Sequence, residues 1–197
     1  MAVKEVKRKV LHLLLGVILA AAIYYDIIGW LSLFVAVLLS VLLSYVTKHK
    51  RFFAENWLLR NFEREEDIKI FPYKGLTFYL IGALIAVFLF EKDIALASIA
   101  ILCLGDSISR LVGEAFGKIK HPLDGRKFVE GAFAGFFAGI FGAVLFIPWY
   151  EAVIASFFAM AAEGLELKVG MADVDDNLVV PIAAGFAVWI FRILLGS

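Results

Sequence analysis

The stretch Asp93-Ile-Ala-Leu-Ala-Ser-Ile-Ala-Ile-Leu-Cys-Leu-Gly-Asp106-Ser-Ile-Ser-Arg110-Leu-Val-Gly113-Glu-Ala-Phe-Gly117-Lys118-Ile-Lys120 decides how this chain is read. Its first half is an apolar run suited to the hydrocarbon core of a bilayer, which a helix of about 20 such residues crosses. Its second half puts a carboxylate and a guanidinium into the same helix. If the helix enters near Asp93, Asp106 lies 13 residues further on, roughly 20 Å deep at helical rise. A carboxylate there costs on the order of 3 kcal/mol unless it is paired or faces a polar cavity. Arg110, one turn later on the same face, is the partner this spacing offers. Gly113 and Gly117 continue the stripe at i+7 and i+11 and leave the backbone open to another helix or to a phosphate chain. The stripe runs into Lys118 and Lys120, with Arg126 and Lys127 in the same loop. Four cations at the mouth of a groove with a carboxylate inside suit a polyphosphate and its Mg²⁺; a buried structural ion pair is the competing reading.

The rest of the chain supports a membrane setting. Of its 197 residues 62% are hydrophobic and the mean hydropathy is +0.90, against about half apolar in water-soluble domains. That composition excludes a disordered, collagen-like or disulfide-stapled protein. Lys+Arg 19 and Asp+Glu 19 cancel, so there is no bulk electrostatic case for a nucleic-acid partner. Apolar runs at 10–25, 27–46, 73–90, 94–116, 130–147, 149–162 and 177–195 predict an all-α, polytopic fold of about seven transmembrane helices in one catalytic domain, 1–197. Lys and Arg collect before the first run and in alternate loops, while Asp26, Glu91-Lys92-Asp93 and Pro148-Trp149-Tyr150-Glu151 turn the others. The positive-inside rule then puts the N-terminus in the cytoplasm. Segment 47–72, with Phe52, Phe53, Trp57, Leu58 and Phe62 among charges, reads as a cytoplasmic amphipathic stretch along the surface. Loops 117–129 and 163–176 fall on the same side. Lys7-Arg8-Lys9, the apolar run behind it and Ala20-Ala21-Ala22 also imitate a signal peptide with its cleavage site.

Two further clusters share that side. Arg8, His12 and Gly16 recur at i, i+4, i+8 with Lys9 beside them, giving one helix face two cations and an imidazole; positive-inside anchoring would look the same. Glu163, Glu166, Asp173, Asp175, Asp176 and Asn177 gather before the last run. Asp176 and Asn177 can cap that helix, and carboxylates here can complete a metal site or take a proton from a hydroxyl. Pro181 falls near the helix start, where a missing N–H costs little. Gly131, Gly135 and Gly139 read as a small-residue ridge for tight helix packing, and Cys103 as a small packed hydrophobe. Two near-matches fail. Gly113 to Lys118 lacks the P-loop spacing, its hydroxyl residue and its preceding strand, and Leu178 stands where an EF-hand loop requires glycine.

Four elements in order resemble the CTP-dependent lipid-alcohol kinases of dolichol, phytol and yeast-type diacylglycerol, which are related to the phosphatidate cytidylyltransferases. Arg8-Lys9-Val-Leu-His12 resembles their amino-terminal Arg-Lys-x-x-His element, and Gly105-Asp106 with Gly113, Gly117, Lys118 and Lys120 their nucleotide-binding stretch. Lys127-Phe128-Val129-Glu130-Gly131 resembles the Lys-Ser/Thr-x-Glu-Gly segment that follows, and Glu163-Gly164 with Asp175-Asp176-Asn177-Leu178-Val179-Val180-Pro181 the carboxyl-terminal pair. Phe128 stands where the family carries a hydroxyl residue, and Arg110 where it more often carries a small one.

The resemblance implies transfer of the γ-phosphate of CTP to the hydroxyl of a membrane isoprenoid alcohol, on the cytoplasmic face of the cell membrane. Asp106 and Asp176 would be metal ligands for Mg²⁺. Gly105, Arg110, Gly113, Gly117, Lys118, Lys120, Lys127 and Asn177 would contact the nucleotide. Arg8, Lys9 and His12 would approach the transferring group or the lipid hydroxyl, and Glu130, Glu163 or Asp176 would supply a second metal ligand or the base. The chain has no Gln and only Asn56, Asn61 and Asn177, a depletion found in hyperthermophile proteins; in an archaeon, whose membranes are isoprenoid, a dolichol-type polyprenol is favoured over diacylglycerol as acceptor. A cytidylyltransferase, releasing pyrophosphate and a CDP-lipid, is the alternative within the superfamily. A transporter with Asp106 and Arg110 lining its pathway is the alternative outside it.

Overall fold

The structure, a computed structural model, describes residues 3–49, 57–63, 65–165, 168–169 and 172–196. Each of the seven apolar runs is a helix: α1 Val3–Tyr24, α2 Trp30–His49, α5 Lys74–Leu89, α6 Lys92–Phe116, α7 Val129–Ala143, α8 Trp149–Glu163 and α9 Asp176–Leu195. Within segment 47–72, Trp57–Phe62 (α3) and Glu65–Ile70 (α4) are two short helices; the rest of the predicted amphipathic stretch, 50–56 with Phe52 and Phe53, lies outside the described residues. A two-residue hairpin, Lys168–Val169 against Ala172–Asp173, is the only strand pairing among the described residues beyond an isolated bridge of Lys120 to Phe128.

Three helices, α2, α6 and α9, are long and apolar enough to cross a membrane, and α5 and α7 are apolar but shorter. Helix α6 is the axis. Its apolar window is 78% buried, against 22% and 28% for α2 and α9, and it packs on α1, α5, α7, α8 and α9. The outer helices turn Leu31, Phe34, Leu38, Leu39, Phe133 and Phe137 outward, the inverse of a water-soluble surface and what a hydrocarbon solvent requires. Asp106 and Arg110 do not interrupt α6. Residues Ile101–Asp106 instead form a wider π-helical turn, a distortion that tends to fall at functional sites.

Glycines set the closest helix contacts. A Cβ on Gly131 would lie 2.4 Å from the Ser109 carbonyl, one on Gly135 2.8 Å from the Gly105 carbonyl, and one on Gly139 2.4 Å from Ser156 Oγ. The ridge on α7 is therefore packing, against α6 and α8. It also corrects the reading of the stripe on α6. Gly105 meets Gly135 and Met160, Gly113 meets Gly131 and Phe128, and Gly117 meets the Phe128 ring; protein fills the space that spacing alone offered to a phosphate chain.

The start of α9 differs from expectation in two respects. Its N-cap is Asp175, whose Oδ1 accepts from Asn177 N at 3.1 Å, rather than Asp176 or Asn177. Pro181 lies beyond the first turn, so it removes the N–H that would have bonded the Asn177 carbonyl. Gly82 of α5 covers that carbonyl: a Cβ there would sit 2.1 Å from it. Asn177 Nδ2 donates to Gly75 O at 3.3 Å and ties the same two helices. At the opposite end of the bundle Arg192 donates to Glu151 at 2.8 Å and 3.1 Å, to Asp93 at 2.7 Å and to Glu91 at 3.2 Å, joining α9, α8 and the entry to α6.

Because the atoms opposite Gly131 are backbone, Gly131→Ala forces α6 and α7 apart and is expected to cost about 1–3 kcal/mol. Gly125→Ala, with nothing near its Cβ position, is the control that should leave thermal unfolding in detergent unchanged.

Candidate functional site

Lys9 of α1 and Asp106 of α6 are 6% and 4% exposed, and Lys9 Nζ donates to Asp106 Oδ2 at 2.5 Å. One helical turn further along α1, His12 Nε2 lies 3.5 Å from the same oxygen and 3.4 Å from Leu102 O. That carbonyl belongs to the π-helical turn, and since it only accepts, Nε2 is assigned the hydrogen. The imidazole is edge-on to Tyr79, ring centroids 4.6 Å apart. Gly16 lets the helices close below this point, for a Cβ there would be 2.4 Å from Cys103 Cβ and Tyr79 OH. Cys103 Sγ donates to Leu13 O at 3.4 Å.

Two more carboxylates reach Asp106. Glu163 ends α8 and Asp176 opens α9, and one oxygen from each of Asp106, Glu163 and Asp176 lies within 4.8 Å of the other two. Ser109, one turn after Asp106 and buried, donates to Glu163 Oε1 at 3.1 Å and fixes its direction. Lys127 enters from the loop before α7. Its Nζ donates to Asp176 Oδ2 at 2.9 Å and to the Glu163 main-chain carbonyl, and stands 3.8 Å from Glu163 Oε1. Burial alone would lower the Lys127 pKa; the Glu163 and Asp176 carboxylates outweigh it and hold the ammonium above its ordinary value.

The loop that delivers Lys127 is shaped by Asp124, which is buried and accepts from Arg126 N at 2.9 Å and Arg126 Nε at 3.1 Å. Lys127 N donates to Asp124 O, and His121 N to Lys127 O, both at 3.0 Å. Glu130 does not join the carboxylate cluster: its Oε1 accepts from Lys118 N at 3.0 Å and Ile119 N at 3.1 Å, bracing the loop. Phe128 takes Lys120 over its ring, 4.0 Å from the centroid. Lys118 and Lys120 are exposed at the rim, and Lys127 alone of the loop's lysines turns inward.

Arg110 is not the partner of Asp106. Its Nε lies 3.2 Å from Glu114 and 3.4 Å from Glu5, and Arg8 holds the same Glu5 oxygen at 2.6 Å. Asn177 ties helices and makes no contact with the cluster among the bonds above. Glu166 and the Asp173 side chain lie outside the described residues. The residues brought together are Lys9, His12, Asp106, Lys127, Glu163 and Asp176. Ser109 on α6 and Asp124 in the loop are not signalled by the sequence, since a single serine or aspartate gives no sign of a partner on another element. The donor set at the centre is oxygen only, three carboxylates from three helices, which fits a hard divalent cation such as Mg²⁺ and not a thiolate- or imidazole-seeking metal.

The described residues thus form a bundle of apolar helices that encloses three carboxylates balanced by two lysines. Comparison with known proteins narrows the class. The chain is 28% identical over 134 residues to phytol kinase 1 of Arabidopsis thaliana, covering 59% of this chain and 43% of that protein. It is 25% identical over 140 residues to CTP-dependent diacylglycerol kinase 1 of Eremothecium gossypii, 58% and 43% respectively. It is 27% identical over 199 residues to a probable phytol kinase of Triticum aestivum, 91% and 65%. The chain thus spans about half the length of the curated relatives it matches. No family model and no solved structure matches. Curated homologues of this chain thus include phytol kinases and CTP-dependent diacylglycerol kinases, of the CTP-dependent lipid kinase family.

Breaking one member of a buried ion pair strands the other, at a cost of about 3–5 kcal/mol. Lys9→Met is therefore expected to lower thermal stability strongly, and Lys9→Met with Asp106→Asn to regain most of the loss. Additive losses in that double-mutant cycle would mean the two charges do not depend on each other.

Proposed function

We propose that this protein is a CTP-dependent lipid kinase that transfers the γ-phosphate of CTP to the hydroxyl of a membrane-embedded isoprenoid alcohol, giving the phosphorylated lipid and CDP. The observation that carries this reading is the buried cluster of Asp106, Glu163 and Asp176 balanced by Lys9 and Lys127, in a chain whose homologues bear CTP-dependent kinase names. Among the relatives' names phytol is itself an isoprenoid alcohol, which supports an acceptor of that class; the choice of a dolichol-type polyprenol rests on the Gln and Asn depletion alone. We further propose that α1, α5, α7 and α8 cross the bilayer along with α2, α6 and α9, seven spans in all, with the N-terminus and the carboxylate cluster on the cytoplasmic side where CTP is made.

Phosphoryl transfer asks for positioning and for neutralisation of spread charge. Asp106, Glu163 and Asp176 would hold Mg²⁺, which when bound neutralises phosphate charge. Lys118 and Lys120, exposed at the rim, draw the triphosphate in. Lys127 and Lys9 offer it ammonium groups inside, with His12 beside Asp106, while Arg8 is held by Glu5 outside the cluster. Helix packing around Asp106 keeps bulk water from the reacting phosphate. The lipid reaches the site sideways from the bilayer, where its chain needs no desolvation. The kinase names of the relatives support this chemistry over a cytidylyltransferase, and the enclosed carboxylate cluster supports an enzyme over a permeation pathway.

Purified protein given labelled CTP, Mg²⁺ and separate samples of polyprenol, phytol and diacylglycerol is expected to yield CDP and a lipid monophosphate, with the isoprenoid alcohols preferred. Pyrophosphate and a CDP-lipid would establish the cytidylyltransferase instead. Asp106→Asn is expected to lower turnover by at least about a hundredfold, the loss that follows removal of one transition-state charge contact; a mutant as active and as Mg²⁺-responsive as the parent would remove Asp106 from the mechanism.

A further inference from the structure

We propose that Lys9 and Lys127 change partners when substrate arrives: each gives up its carboxylate to the divalent cation and turns its ammonium to the triphosphate, so that cation and nucleotide bind as one unit. The inference rests on the kinase reading above and adds to it the order and coupling of binding.

Lys9 is held by Asp106 at 2.5 Å and Lys127 by Asp176 at 2.9 Å, with Glu163 Oε1 at 3.8 Å from the same Lys127 nitrogen. The two ammonium groups thus contact the same three carboxylates whose oxygens converge within 4.8 Å. A divalent cation arriving alone has to displace both ammonium groups from their carboxylates, which leaves Lys9 without Asp106 and Lys127 with only the Glu163 main-chain carbonyl, and a buried ammonium so poorly paired is costly. A triphosphate arriving alone meets three carboxylates. When both arrive, the cation takes the carboxylates and the displaced ammonium groups find phosphate oxygens, so each ammonium keeps an anionic partner and the carboxylates keep a cationic one. Lysine suits the exchange because its ammonium is a compact charge on a flexible four-carbon stem that can swing between acceptors.

Each ligand therefore raises the affinity for the other, and by linkage both do so equally. Two fixed structural ion pairs would predict the reverse for a lysine deletion: cation binding left unchanged or weakened as the cluster loses organisation. In the exchange, deleting a lysine removes a competitor, so the cation alone binds more tightly.

The test uses Mn²⁺ as the probe cation, its free ion counted by electron paramagnetic resonance, with the full chain in detergent and with or without the β,γ-methylene analogue of CTP. The analogue is expected to tighten Mn²⁺ binding to the parent protein by about tenfold or more, within the usual range of coupling between sites. Lys127→Met is expected to bind Mn²⁺ alone more tightly than the parent and to respond less to the analogue. Asp176 is one-third exposed and Glu163 keeps its bond from Ser109, so this variant leaves both carboxylates an alternative to the ammonium and does not depend on the folding of Lys9→Met, for which the same result is expected. Equal Mn²⁺ affinity with and without the analogue, or weaker or unchanged Mn²⁺ binding by Lys127→Met, would overturn the exchange while leaving the kinase reading intact. A parent protein that binds no analogue at saturating Mn²⁺ would overturn both.

Discussion

A lysine and an aspartate 97 residues apart meet out of reach of water, and much of the fold follows from the need to keep them together. Neither charge is tolerable alone in hydrocarbon, so α1 has to dock on α6 in one register. Docking in that register brings His12 to the Leu102 carbonyl and Cys103 to the Leu13 carbonyl. It also requires Gly16, because Cys103 and Tyr79 already occupy the place of a side chain there. The π-helical turn belongs to the same arrangement. It ends at Asp106, and its Leu102 carbonyl is offered sideways to the neighbouring helix.

Hydropathy is a local property, and so all seven apolar runs were legible as helices from the residues alone. The cost of a carboxylate inside one of them was legible too. Its partner was not. The i+4 rule offers Arg110, the nearest cation on the same face, but that guanidinium is drawn away by Glu5 and Glu114, while the actual partner comes from another helix. The glycines pose the same difficulty. A bare backbone admits a ligand or a helix equally well, and only the complementary ridge of Gly131 and Gly135 decides for the helix. Of the acidic residues before α9, two enter the cluster and Asp175 caps the helix. That division depends on Ser109, whose bond to Glu163 links residues 54 apart.

Loop 117–129 separates two kinds of cation. Lys118 and Lys120 stay at the rim, one beside the Glu130 brace and the other over Phe128, where water weakens them as ligands and leaves their charge to steer an approaching anion. Lys127 is carried inward by the turn that Asp124 builds. Phe128, out of place in a hydroxyl-bearing motif, fills the space left bare by Gly117 and holds Lys120 by its face. A hydroxyl there would offer a phosphate contact and lose both of these.

The two ends of the bundle use different cations because they do different work. Arg192 meets both oxygens of Glu151 with a planar fork and spends its remaining donors on Asp93 and Glu91. Directed bonds from one rigid group make a fixed joint between α6, α8 and α9. At the other end the same three helices present Asp106, Glu163 and Asp176 to single-point ammonium groups on flexible stems. A guanidinium in place of Lys9 or Lys127 would hold its carboxylate by several directed bonds and resist displacement. The helices that bring three acids together are thus clamped at one end by directed bonds, and at the other their charges are held by single-point ammonium groups, as the proposed phosphoryl transfer asks.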